Sequence, residues 1–228
     1  MNIVSFEVLM QLLRDRTAFL TEIEQEKGLD KKIISLLFSS AIFLALYGAI
    51  IGSTNSALQM LSSAFKLPAL YLLTLIICLP TLYFFDVIFG SKRTFNQYLA
   101  LLMASMAMIS VMLFGFAPVT LFFRLSIDDY NFFRLLNIVV LALTGVIGVK
   151  FFYQSMMSLI AKETESSENR HKLIKAWLFL YGFVGSQLGW TLRPFFSVPN
   201  SPFALFRNIE SNFYVEVVKI IGAFFGFN

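Results

Sequence analysis

The chain has 228 residues, of which 57% are hydrophobic and only 14% charged, with 27 Phe and a formal charge of +4. An aqueous globule presents about 25% charged residues to its solvent, and a disordered chain needs low hydrophobicity and many charges. Both are excluded, which leaves a protein surrounded largely by lipid.

Residues 2–26 repeat apolar side chains at helical spacing, Phe6, Leu9, Met10, Leu13, Phe19, Leu20 and Ile23, against Arg14, Asp15, Arg16, Glu24 and Glu26. That pattern predicts one amphipathic helix, too polar to cross a bilayer, lying at its surface or against a partner. Its acidic residues, Glu7 among them, are unlike the basic start of a signal peptide. Gly28 and Asp30 end it before Lys31-Lys32.

Five apolar runs follow, at about residues 33–52, 67–90, 98–123, 132–153 and 173–192, each near the roughly 20 residues that a transmembrane helix needs. Residues 53–66 are small and polar and are expected as a loop. Pro80 falls inside the second run and predicts a kink. Ser91-Lys92-Arg93-Thr94 and Asp128-Asp129-Tyr130-Asn131 mark turns, and 162–172, the most polar stretch, is expected as a solvated link. Arg193-Pro194 stops the fifth helix, and Pro199-Asn200-Ser201-Pro202 reads as turns. Residues 211–227 are apolar but carry Glu216 and Lys219, which favours an interfacial or re-entrant helix over a sixth crossing. The expected architecture is an all-α, polytopic transmembrane bundle of five spans. Its parts are an N-terminal amphipathic helix (1–32), the bundle (33–192) and an aromatic, basic tail ending in a surface helix (193–228).

With five spans and the N-terminus inside, about 11 basic residues flank the inner face and about 6 the outer. The positive-inside rule therefore expects a cytoplasmic N-terminus, and it accounts for the basic residues without nucleic acid as a partner. The single Cys78 allows no internal disulfide, and the single His171 argues against a histidine metal centre or a catalytic triad.

An ionisable group inside a span is costly and marks a candidate site. Asp86 and Lys150 fall at similar depth near the inner ends of the second and fourth runs, where they would pair across helices. The alternative is that Lys150 snorkels to the headgroups while Asp86 sits in the interface. Ala41, Ala45, Ala49, Gly48, Gly52, Gly145, Gly148, Gly182, Gly185 and Gly189 supply close-packing positions, and Asn137 and Gln187 are expected to hydrogen-bond across helices. The tail mixes aromatic and basic residues, and Trp190, Arg193, Phe195, Phe206, Arg207 and Tyr214 form a candidate docking surface. The tail would otherwise fold as a cap, with Arg193 and Arg207 paired to Glu210 or Glu216.

Catalytic signatures fail. Gly90-Ser91-Lys92-Arg93-Thr94 lacks P-loop spacing. Gly185-Ser186-Gln187-Leu188-Gly189 places Ser one position early for a nucleophile elbow. No catalytic residue, cofactor or metal site is expected.

Four stretches together resemble an uncharacterised family of small polytopic integral membrane proteins of cyanobacteria and other bacteria. They are the run from Lys66-Leu67-Pro68 to Leu79-Pro80, Phe116-Ala117-Pro118-Val119-Thr120, Phe133-Arg134-Leu135-Leu136-Asn137, and Trp177 through Gly182 and Trp190 to Arg193-Pro194-Phe195. The resemblance implies a bundle in a bacterial plasma or thylakoid membrane and hands over no catalytic residue. Such proteins are sometimes labelled actin-binding, of the Wiskott–Aldrich homology type. Here Leu29-Asp30-Lys31-Lys32 abuts a span, where topology explains the lysines, so actin is not an expected partner. The expected function is a non-enzymatic accessory, assembly or scaffold protein, docking on a larger membrane complex, photosynthetic or respiratory by analogy, or on itself. A channel or transporter subunit and a membrane-shaping protein are the alternatives.

Overall fold

The computed structural model describes residues 6–54, 56–127, 129–161, 167–196, 202–207 and 213–224. Among them there are eight helices and no strand. In chain order these are α1 (Phe6–Arg14), α2 (Arg16–Glu24), α3 (Leu29–Gly52), α4 (Ala57–Ile88), α5 (Phe95–Ser126), α6 (Tyr130–Ile160), α7 (Ser167–Thr191) and α8 (Phe213–Phe224).

Four of them, α3 to α6, are long and apolar enough to cross a membrane, with 24 to 32 residues and mean hydropathies of 2.0 to 2.2. At about 1.5 Å per residue they measure roughly 36–48 Å, against a hydrocarbon core of about 30 Å. α7 is equally long, but Lys175, Ser186, Gln187 and its glycines dilute its apolar content below that of the other four.

Each boundary has a local cause. Ser56 caps α4, its hydroxyl accepting from Gln59 N at 3.2 Å. This starts the helix ten residues before the run in which a span was expected, so most of the predicted 53–66 loop is helical. α4 then continues through both Pro68 and Pro80. Thr94 and Gln97 form a capping box at the start of α5. The Asp129 carboxylate accepts from Asn131 N and Phe132 N to start α6.

The single helix expected over residues 2–26 is two. Asp15 interrupts it and caps α2 by accepting from Ala18 N at 2.9 Å. α1 buries Val8, Leu9 and Leu12 against the bundle and exposes Phe6, Met10 and Leu13. Its Phe6 ring lies 6.0 Å from that of Phe43, fourteen residues or about 21 Å of helix beyond Leu29. α1 therefore runs along the side of the bundle.

The long helices alternate in direction. The end carrying the start of α3 is called basal here, the opposite end apical. α5 is central, with Tyr98, Ala100, Leu101, Ala104, Ala107 and Leu113 fully buried. α3 packs on both α4 and α5, α6 on α5, and α7 on α4. The ring closes where Phe152 of α6 meets Trp177 of α7 at 5.4 Å. Small residues let helix backbones approach closely. A β-carbon at Gly48 would lie 2.4 Å from Ser63 O, one at Gly52 2.6 Å from Gln59 O, and one at Gly148 2.3 Å from Ile109 Cγ1. Those three contacts set the α3–α4 and α5–α6 distances.

Candidate functional site

The polar interior is concentrated at the two ends of α4. At the basal end Asp86, fully buried, meets Arg170 of α7, which is 1% exposed. Arg170 Nε donates to Oδ1 at 2.8 Å and Nη2 to Oδ2 at 2.9 Å, a two-bond fork that matches guanidinium to carboxylate geometry. Tyr98 of α5 also donates its hydroxyl hydrogen to Asp86 Oδ2. With that hydrogen committed, Ser91 Oγ, 2.6 Å from the Tyr98 oxygen, is the donor between them. Two charges taken out of water are costly, and the fork plus the tyrosine is what makes their burial tolerable.

The carboxylate expected to pair with Lys150 thus has a different partner. Lys150 is exposed on α6, while Arg170, assigned from sequence to a solvated link, lies inside a helix that begins at Ser167. Residues 162–166 of that link lie outside the described residues.

At the apical end, the chain after α7 folds back over the first turns of α4. The Arg193–Pro194 bond is cis. Gln59 Nε2 donates to Pro194 O at 2.8 Å, Ser63 Oγ to Phe195 O at 2.8 Å, and Lys66 Nζ to Pro194 O at 3.4 Å and to Leu205 O. Lys66 is 6% exposed and lies 4.9 Å from the Phe206 ring centroid, and no carboxylate among the described residues reaches it.

Between the two ends α7 lies along α4. Trp177 Nε1 donates to Cys78 O at 3.0 Å, a β-carbon on Gly185 would make ordinary contact with Thr74, and one on Gly189 with Leu70. On the other side of the bundle Tyr47 donates to Asn137 Oδ1 at 2.7 Å, with Thr120 Oγ1 3.3 Å away, tying α3, α5 and α6. Asn137 therefore bonds across helices as its sequence position implies, whereas Gln187 is half-buried on α7.

The six candidate docking residues separate. Trp190 is buried, with the Arg193 guanidinium 3.5 Å from its ring centroid. Phe195 is half-buried under the apical fold-back, while Phe206 and Arg207 are exposed beside it. Tyr214, on α8, is half exposed with its hydroxyl 3.1 Å from Ser186 Oγ. Glu216 meets Arg134 of α6 at 3.5 Å, rather than Arg193 or Arg207, and Glu210 lies outside the described residues.

Sequence reasoning missed Arg170, Gln59, Ser63 and Lys66 as site residues. A signal for the first was present: Arg170, Ile174, Trp177 and Tyr181 fall at helical spacing, so the buried stripe of α7 extends backward into the polar stretch. No family model, curated protein or solved structure matches the chain.

Proposed function

We propose that the chain is a five-span integral membrane protein with a cytoplasmic basal face, acting as a non-enzymatic scaffold or accessory that docks on a larger membrane complex. The fifth span is α7. From Arg170 of α7 to Phe195, four residues beyond its end, the chain accompanies α4 from Asp86 to Ser63, 23 residues or about 35 Å, which exceeds the hydrocarbon thickness. A segment held along that length of a spanning helix crosses with it. α8, at 12 residues or about 18 Å, is too short to cross and belongs to the apical interface.

The observation that carries the scaffold reading is the commitment of interior polar groups to one another. Asp86, Arg170, Tyr98 and Ser91 fix the basal end, and Gln59, Ser63 and Lys66 fix the apical fold-back. Such groups hold helices in one arrangement. Purification in mild detergent is expected to recover a stoichiometric larger partner, and a homogeneous particle of this chain alone would refute the docking role.

Lys66 favours a second reading, a channel or transporter subunit. A buried cation that no carboxylate among the described residues reaches, on a helix carrying two prolines, is a feature of substrate and ion pathways. Ion flux in liposomes containing the pure chain would establish it; its absence leaves the scaffold.

A further inference from the structure

Three cations from three helices stand around one stretch of α6, residues 150–155. Arg16, at the start of α2, places its guanidinium carbon 4.4 Å from the Phe151 ring centroid. It donates to Gln154 Oε1 and Ser155 Oγ, both at 3.1 Å, and to Phe151 O at 3.3 Å. Lys150 stands one turn before Gln154 on the same helix face, exposed. Lys175 of α7 approaches from the other side, 5.9 Å from the Tyr153 ring centroid. Every acceptor they meet is neutral, and no carboxylate among the described residues lies within ion-pair distance of any of the three. The neighbouring Asp15 is turned to the start of α2, and Glu168 to Lys172.

The face of α6 above them is apolar. Val139, Leu143 and Val146 are exposed by 55%, 47% and 52%, and their spacing of four, three and four residues leads to Lys150. From Val139 to Lys150 the helix rises eleven residues, about 16 Å. That is half of a hydrocarbon core of about 30 Å. One stripe of α6 is thus greasy over the depth of one leaflet and then turns basic.

We infer that this stripe binds a single anionic phospholipid of the basal leaflet, its phosphate on Arg16, Lys150 and Lys175 and its chains along Val139, Leu143 and Val146. Three positive charges that meet no carboxylate among the described residues select an anionic headgroup over a zwitterionic one. The site rests on the membrane reading above, and it adds a ligand to that reading.

The full chain in mild detergent, given phosphatidylglycerol or phosphatidylcholine and weighed by native mass spectrometry, tests it. Phosphatidylglycerol is expected to be retained at lower added lipid. Lys150→Gln or Lys175→Gln should each weaken that retention about fivefold, the worth of one basic residue at an anionic surface. Lys172→Gln, an exposed lysine already paired with Glu168, should leave it unchanged. Equal retention of the two lipids, or an equal loss with Lys172→Gln, would overturn the site. Inorganic phosphate displacing the lipid better than chloride of the same ionic strength would assign the cations to a soluble phosphate compound and overturn the lipid. A chain that stays monodisperse with no amphiphile would remove the membrane reading itself, an outcome distinct from a lost lipid preference.

Discussion

Arg170 and Asp86, 84 positions apart in the chain, face each other from two helices as a forked pair at 2.8 and 2.9 Å, each shielded almost completely from solvent. The pair fixes the basal end of α7 against α4, and Tyr98 brings α5 into the same junction.

Removing one partner leaves the other charge buried without its forked pairing. Asp86→Leu or Arg170→Met should each destabilise the bundle by about 3–5 kcal/mol. The double variant Asp86→Leu with Arg170→Met should recover most of that loss. Thermal unfolding in detergent reads the comparison, and additive effects of the two single changes would show that the charges are not coupled.

Glycine positions separate by what surrounds them. Gly48→Ala drives a methyl group into the Ser63 carbonyl and should cost about 1–3 kcal/mol. Gly182→Ala meets nothing within 4 Å and should be neutral or gain up to about 1 kcal/mol from the better helix former. Comparable losses at both positions would mean that the α3–α4 approach is not limited by that contact.

The junction between α2 and α3 carries a pH dependence. Lys32 Nζ donates to Glu22 Oε2 at 2.6 Å, and this hydrogen bond is the main cause that holds the Glu22 carboxyl below its ordinary value of 4.5. The folded chain therefore gives up that proton more readily than the unfolded one. The stabilisation is complete above the ordinary value and disappears as pH falls through the lowered one. Glu22→Gln should be less stable than the parent at neutral pH, with the gap closing on acidification. The side chain is 35% exposed, so the gap is modest and shrinks in salt.

Labelling from the two sides of the membrane tests the fifth crossing. In a Cys78→Ser background, a cysteine placed at exposed Lys172 should react with an impermeant maleimide from the cytoplasmic side, and one at exposed Phe203 from the opposite side. Reaction of both from one side would show that α7 does not cross.

The long apolar helices were legible in the sequence because lipid tolerates few charges over about 20 residues, and α3, α5 and α6 follow their runs closely. The polar neighbours of those runs were not. Residues 57–66 read as a loop because Gln59, Ser62, Ser63 and Lys66 look solvated one at a time, yet Ser56 followed by Gln59 is a helix start, and the carbonyls of Pro194, Phe195 and Leu205 supply partners for Gln59, Ser63 and Lys66. Arg170 was misplaced for the same reason. A charge beside a span can be wet or paired, and only a partner distant in sequence decides which. The pairing of Asp86 was sought with Lys150, but α6 turns Lys150 outward, and its neighbour Phe152 packs on Trp177, which bonds Cys78 O, eight residues or about 12 Å of α4 away from Asp86.

The apical fold-back is held through its main chain. Gln59, Ser63 and Lys66 address the carbonyl oxygens of Pro194, Phe195 and Leu205, and a carbonyl is present whatever side chain it accompanies. Evolutionary drift is therefore cheap at 195 and 205 and expensive on the helix that grips them. Diverged descendants of this gene should preserve the glutamine, serine and lysine while exchanging the residues whose backbones they hold.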